Sequence, residues 1–184
     1  SLAPEAVAAA REFIGRNFGA QYVPAKPNAF RSNKDAQEAH EAIRPTDINR
    51  RPEDVRDALT DEQFKLYSLI WARTVACQMT PAQWDATSVL FERADKPTGA
   101  VLKANGRTLA FDGFLRVLGV QAADEQTLPA LKEQQALGAF SVEPQQKFTS
   151  PPPRYTEASL VKKMEDLGIG RPSTYAATIS TISD

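Results

Sequence analysis

The stretch AQEAHEAIRPTD, Ala36 to Asp47, holds the only histidine of the chain, His40, between Glu38 and Glu41 and ahead of the step Arg44-Pro45. On a helix, residues three or four apart are neighbours, so His40 would share its face with Ala36, Gln37, Ile43 and Arg44, while the adjacent carboxylates point elsewhere. Two readings stay open on residue types alone. One is a structural histidine whose ring nitrogens are satisfied. The other is a phosphate contact, in which an imidazolium and the Arg44 guanidinium donate to one anionic oxygen. A metal site is not expected: no second histidine or cysteine is at hand, and carboxylates alone favour hard cations held by oxygen.

A second candidate is GIGRPSTYA, Gly168 to Ala176. A helix N-terminus presents unpaired N–H groups and the positive end of the helix dipole, and Arg171, Ser173 and Thr174 add a cation and two hydroxyls at that same end. That set suits a phosphate, and it also suits a plain helix cap. The four tyrosines, Tyr22, Tyr67, Tyr155 and Tyr175, could accept a phosphoryl group only with a base or cations around the phenol. None has such a cluster in sequence, so none is assigned as a nucleophile. Cys77, the single cysteine, lies in an apolar helical context and reads as a buried thiol; Trp71 reads as core, and Trp84 as core or interface.

Three kinds of segment must position these residues. From Ser1 to about Thr80 the periodicity is helical. Pro4 suits the first turn of a helix that ends before Gly19, with Val7, Phe13, Ile14 and Phe18 toward one side. Pro24 and Pro27 make an extended loop. A short helix is predicted over Lys34 to Ile43, closed at Arg44-Pro45 because the residue before proline is pushed out of the helical region. The sequence TDEQ at Thr60 to Gln63 is a capping box, and Phe64, Tyr67, Trp71, Thr74 and Val75 recur at helical spacing up to Met79.

Pro81 ends that helix, and from about Gln83 to Phe148 the pattern becomes strand-like in TSVLFERA, AVLKA, TLAFDGFLRVL and AFSVE, with turn material in DKPTG and ANGR. Asn105-Gly106 predicts a hairpin turn, since a type I′ turn needs positive φ at both central residues. SPPPRY at Ser150 to Tyr155 marks a boundary. Beyond it, a helix capped by Thr156 and ended at Gly168, a short turn, and a helix with Pro172 in its first turn make a helix-turn-helix-like unit.

Composition sets the bounds. The chain has 184 residues and is 42% apolar, enough for a core without disulfides. Its 22 basic and 23 acidic residues nearly cancel, so any nucleic-acid binding must come from local placement. A lone cysteine fits a reducing compartment such as the bacterial cytoplasm. No apolar run approaches the ~20 residues of a membrane span, and no membrane partner is expected. The start without methionine and the stop inside a predicted helix suggest a piece of a larger protein.

EAHEAIRPTD, LYSLIWARTVACQMTPAQWDAT and PPPRYTEASLVKKMEDLGIGRPSTYAATISTI, in this order and spacing, resemble the type IA DNA topoisomerases, and among them the bacterial topoisomerase I group more than topoisomerase III or reverse gyrase. The similarity is loose between about Phe91 and Lys147. It implies an α+β multidomain fold: most of a helical gate domain over residues 1–80, an antiparallel β arch over 81–150, and the helix-turn-helix, winged-helix-like start of a DNA-binding base domain over 151–184. It implies an ATP-independent enzyme that relaxes negatively supercoiled DNA by cutting one strand through a 5′-phosphotyrosine and passing another through the gap. The nucleophile of such enzymes sits in a Tyr-Met-Arg-Thr-Asp-Ser motif, and Ser1-Leu2-Ala3-Pro4 resembles the residues directly after that motif. The catalytic tyrosine and the Mg2+-binding acidic Toprim domain are thus expected outside these residues, with no catalytic residue, metal site or cofactor inside them. The implied partners are single-stranded DNA and the enzyme's remaining domains, with a monomer acting in the bacterial cytoplasm at the nucleoid. The implied DNA-binding residues are His40, Arg44, Arg171, Ser173 and Thr174.

A rival reading is a non-catalytic single-strand-binding module or a hinge; an upstream tyrosine motif and acidic metal domain in the parent gene would separate the two. If the His40 imidazolium holds phosphate, single-strand affinity falls as pH rises through its pKa, near ~6.5 for an unperturbed imidazole. A flat binding titration between about pH 5.5 and 8 would overturn the phosphate reading of His40.

Overall fold

Proline fixes φ near the helical value and lacks the N–H that a first turn cannot use, so Pro4 opens α1, Pro4–Asn17. Gly19, at φ 108°, ends the run, and the Asn17 side chain donates back to the Phe13 carbonyl at 2.8 Å. In the computed structural model, the described residues are 2–30, 41–92, 99, 101–119, 125–138, 141 and 143–183. They form two compact units, Ser1–Gln135 and Ala136–Asp184.

In the first unit, α2 spans Asp61–Cys77 and starts on the expected capping box: the Thr60 hydroxyl accepts the Gln63 N–H, and the Gln63 side chain accepts the Thr60 N–H. Its apolar stripe divides. Trp71, Thr74 and Val75 are buried, whereas Phe64 and Tyr67 stay partly exposed, Phe64 beneath the Arg56 guanidinium at 4.6 Å. Phe13 and Ile14 of α1 meet Trp71, Val75 and Met79 in a core that also takes Tyr22 and Ile48. Phe13 and Trp71 pack edge to face at 5.6 Å. Each fully buried side chain of this kind contributes roughly 1.5–3 kcal/mol.

After Pro81 two strands pair antiparallel, β1 over Gln83–Glu92 and β2 over Val101–Phe111, with Phe91 opposite Leu102 and Gln83 opposite Phe111. The turn predicted at Asn105-Gly106 is not there. Both residues lie inside β2, opposite Ser88 and Thr87, and VLKA and TLAF belong to one continuous strand. Gly106 answers a different demand: Gln126 bridges to Arg107 from the open edge of β2, and a Cβ on Gly106 would stand 2.7 Å from Leu128 Cγ and 2.8 Å from the Gln126 carbonyl. A glycine in a strand thus marks close approach of another segment. The strands are joined instead through the DKPTG region, where Gly99 has φ 72°; the other residues between β1 and β2 lie outside the described set.

Three more expectations need correction. Glu41 to Ile43 carry no helix, so the helix predicted over Lys34 to Ile43 lacks its C-terminal end, and residues 34–40 lie outside the described set. Ser141 and Glu143 are not in a strand, so AFSVE gives no third β segment among the described residues. TLAFDGFLRVL leaves β2 at Phe111 and turns at Gly113 into the one-turn helix α3, Leu115–Leu118.

The root of the hairpin and α3 share the helical core. Phe111, Phe114 and Val117 pack against it, the Thr80 N–H donates to the Tyr22 carbonyl at 3.0 Å, and the Phe114 N–H donates to the Thr80 carbonyl at 2.9 Å. The first compact unit therefore includes both the helical segment and the hairpin.

The second unit carries the expected pair of helices. Thr156 and Ser159 cap α4, Glu157–Asp166, reciprocally. Gly168 at φ 69° closes it, with its own N–H on the Glu165 carbonyl and the Ile169 N–H on the Met164 carbonyl, a Schellman stop. Pro172 opens α5, Pro172–Ser183. No described helix is long and apolar enough to cross a membrane.

Gly113 has φ 49°, and a Cβ there would lie 2.4 Å from the Thr80 carbonyl oxygen and 2.5 Å from the Pro81 carbonyl carbon. Gly113→Ala must therefore push backbone against backbone in a left-handed conformation. The expected cost is about 2 kcal/mol or more in urea unfolding of the first unit, against about 1 kcal/mol for Thr60→Ala, which removes only a cap. Equal midpoints for Gly113→Ala and the parent chain would refute this account of the joint.

Candidate nucleic-acid interface

At the start of α5 the backbone turns at Gly170, φ 77°, and Pro172 holds the first helical φ. The Thr174 hydroxyl accepts the Arg171 N–H at 2.9 Å and donates to the Arg171 carbonyl at 3.0 Å. That carbonyl also accepts the N–H groups of Thr174 and Tyr175. Thr174 is thus occupied as a local cap. Arg171 spends one Nη1–H on the Gly170 carbonyl at 3.2 Å and is otherwise exposed. Ser173 is exposed, and among the described residues neither its N–H nor its hydroxyl has a partner. The open donors at this end are therefore the Arg171 guanidinium, the Ser173 hydroxyl and the Ser173 N–H, all at the positive end of a 12-residue helix.

The other predicted contacts belong to the first unit. His40 lies outside the described residues. Arg44 forms a fork with Glu41, Nε to Oε1 at 2.6 Å and Nη2 to Oε2 at 3.2 Å, while Nη1 donates to the Pro45 carbonyl at 3.2 Å. Glu41 Oε1 also accepts the Ala3 N–H at 2.8 Å. The Arg44 hydrogen bonds, then the Ala3 N–H, hold the Glu41 carboxyl below its ordinary range, and the Glu41 bonds raise Arg44 above its own. Glu41 is the residue that sequence reasoning passed over. Its spacing of three from Arg44 was a usable signal, whereas nothing in sequence links it to Ala3, 38 positions away.

The structure thus gathers Arg171, Ser173 and Thr174 at one helix end and Arg44 with Glu41 in the other compact unit.

The tyrosine hydroxyls of the first unit are committed. Tyr22 is buried and donates to Asp112 Oδ1 at 2.7 Å; that bond, with burial and the carboxylate's charge, pushes its pKa up against the smaller pull of Arg116. Tyr67 donates to the Arg50 carbonyl at 2.7 Å, and burial raises its pKa as well. A phenol held protonated is a poor nucleophile. Cys77 is also raised, chiefly by burial, and its thiol bonds the Thr74 carbonyl. Trp84 is partly buried with the Arg107 guanidinium 4.6 Å above its ring. Among the described residues no group of three or more histidine, cysteine, aspartate or glutamate side chains could hold a metal ion.

Comparison with known proteins places these features. Residues 1–184 match the family profile described as DNA topoisomerase. The DNA topoisomerase 1 of Rickettsia felis is 47% identical over 190 aligned residues, covering 100% of this chain and 24% of that protein. The DNA topoisomerase 1 of Vibrio cholerae is 49% identical, covering 100% of this chain and 20% of that protein. The solved structure of full-length topoisomerase I from Thermotoga maritima superposes with a TM-score of 0.77 at 36% identity, over 98% of this chain and 28% of that one. The chain therefore spans between a fifth and a quarter of the length of these curated relatives. With a profile match along its whole length and an α+β fold shared with a solved topoisomerase I, this chain belongs to the bacterial DNA topoisomerase I family.

Proposed function

We propose that this chain is the part of an ATP-independent type IA topoisomerase that carries the strand gate and the first stretch of the single-strand path. On this reading residues 1–80 are most of the gate domain, 81–150 belong to the arch, and 151–184 begin the DNA-binding base domain. The whole enzyme relaxes negatively supercoiled DNA as a monomer in the bacterial cytoplasm, through a 5′-phosphotyrosine formed outside these residues. The observation that carries the reading is the cluster of open donors at the start of α5, Arg171 and Ser173, in a chain of this family. A phosphate there would meet a cation, a hydroxyl and a backbone N–H together.

The hydroxyls of Tyr22 and Tyr67, each spent on a hydrogen bond within the chain, support a nucleophile elsewhere in the enzyme. On the same reading, the Mg2+ of the reaction belongs to the enzyme's acidic Toprim domain.

The test is fluorescence anisotropy of a labelled single-stranded oligonucleotide titrated with the chain at two salt concentrations, beside Arg171→Ala and His40→Ala. Binding is expected, weakened by both substitutions, with each lost phosphate contact lowering the salt slope by about 1. No binding by the intact chain, or an unchanged slope in Arg171→Ala, would remove the single-strand path from this piece and leave gate and hinge. The chain alone is expected to leave supercoiled plasmid unrelaxed, and relaxation by the pure chain would overturn the placement of the nucleophile.

A further inference from the structure

We propose that Glu41 is a positioning residue: its carboxylate orients Arg44 toward a DNA phosphate by tying that guanidinium to the first residues of α1. The inference rests on the reading of Arg44 as a phosphate contact and adds the group that makes the contact possible.

The geometry has three parts. First, the Glu41 carboxylate takes both Nε and Nη2 of Arg44, so the planar fork is matched edge to edge and cannot rotate freely. Second, the carboxylate is itself held. The helix α1 has alanine at its N-cap and no side-chain cap, and the Ala3 N–H there donates to Glu41 Oε1 from 38 residues away. A carboxylate at the positive end of a helix is favoured, which anchors the fork to a rigid element and not to the irregular backbone of residues 41–45. Third, the donors left over are defined. A guanidinium has five N–H groups. Two go to Glu41 and one to the Pro45 carbonyl, which leaves one on each terminal nitrogen, on a side chain that is 25% exposed. Those two remaining N–H groups suit two oxygens of one phosphate.

Charge alone predicts the opposite consequence. A carboxylate beside a phosphate site repels the ligand, so neutralising Glu41 should tighten DNA binding if shielding is all it does. Orientation predicts weaker binding when Glu41 is neutralised, because a freely turning guanidinium loses rotamer entropy on each contact.

The experiment measures single-strand affinity of the whole 184-residue chain for a labelled oligothymidylate, with Arg44→Ala, Glu41→Gln, the double variant and Arg44→Lys. Glu41→Gln keeps an oxygen for the Ala3 N–H, so the tie to α1 survives while the ionic fork is lost. Arg44→Ala is expected to weaken binding about tenfold, the scale of a charged hydrogen bond. Glu41→Gln should weaken it severalfold, and the double variant should bind no worse than Arg44→Ala, since Glu41 acts only through Arg44.

Unchanged or tighter binding by Glu41→Gln, with Arg44→Ala weakened, overturns the proposal and leaves Arg44 as a contact. Additive losses in the double variant overturn it too. No effect of Arg44→Ala removes the underlying reading, and the proposal with it. Arg44→Lys keeps the charge but not the fork and should behave like Arg44→Ala; parent-like binding by it shows that orientation is not needed and overturns the proposal even if Glu41→Gln proves unstable.

Discussion

The indole N–H of Trp71 donates to the Ile48 carbonyl at 2.9 Å, inside the core where Phe13 meets Trp71 edge to face. A buried carbonyl in an irregular segment has no ladder to join and must find a donor elsewhere. Here a side chain of α2 supplies it. Pro45 and Ile48 are consequently buried while Thr46 and Asp47 between them stay exposed, so the segment lies across the helices as a strap. Arg44 immediately precedes Pro45 and takes its place from that strap. The same indole sets Phe13, and with it α1, whose first residues supply the Ala3 N–H to Glu41. Both ends of the Glu41–Arg44 pair thus depend on one buried aromatic residue.

A second set of satisfied groups closes the far end of α2. The Asn28 side chain donates to the carbonyls of Cys77 and Met79, while the Gln78 amide, almost fully buried, exchanges hydrogen bonds with the Asn28 backbone. Thr80 then bonds the Tyr22 loop on one side and Phe114 on the other, and the Tyr22 hydroxyl reaches Asp112 at the hairpin root. Buried polar groups that are all paired rigidify the place where they meet, since each unpaired group would cost its full desolvation. The hairpin leaves the helices through this joint. Its position at the root is therefore set by hydrogen bonds as much as by the packing of Phe111 and Phe114.

Local signals were readable wherever the chemistry is local. Pro4, the Thr60–Gln63 box, Thr156, Gly168 and Pro172 each act within one turn of backbone, and each stands where its type predicts. The misreading of Asn105-Gly106 has the opposite cause. The dipeptide is a strong turn signal, but Gly106 is required by Leu128 and Gln126, 22 and 20 positions further on, and no short window contains that contact. The helix expected before Arg44 shows the same limit. Helical spacing set His40 beside Arg44 and set Glu41 aside, whereas residues 41–45 are irregular and Glu41 is the partner that Arg44 takes. At the other candidate site the residues were readable and their division of labour was not. Thr174 is consumed as a cap, which leaves the open donors on Arg171 and Ser173.

The near balance of 22 basic and 23 acidic residues carries a consequence for how such a chain could hold DNA. A strongly basic surface binds phosphate through its summed field and tolerates loose side chains. A neutral chain has no such field, so each contact must be worth more by geometry. Both candidate sites have that character. Arg171 stands at a helix end whose dipole adds to its charge, and Arg44 is forked to a carboxylate that is itself fixed to a helix start. If Arg44 holds a phosphate, as proposed, the neighbouring Glu41 costs attraction, and the cost is tolerable because the carboxylate's charge is shared with the Ala3 N–H and the Arg44 fork. On the proposed reading, in which the whole enzyme must let a strand go, weak overall attraction with well-aimed contacts also suits release. Affinity from a broad basic field would slow release, whereas a few oriented donors can be made and broken together.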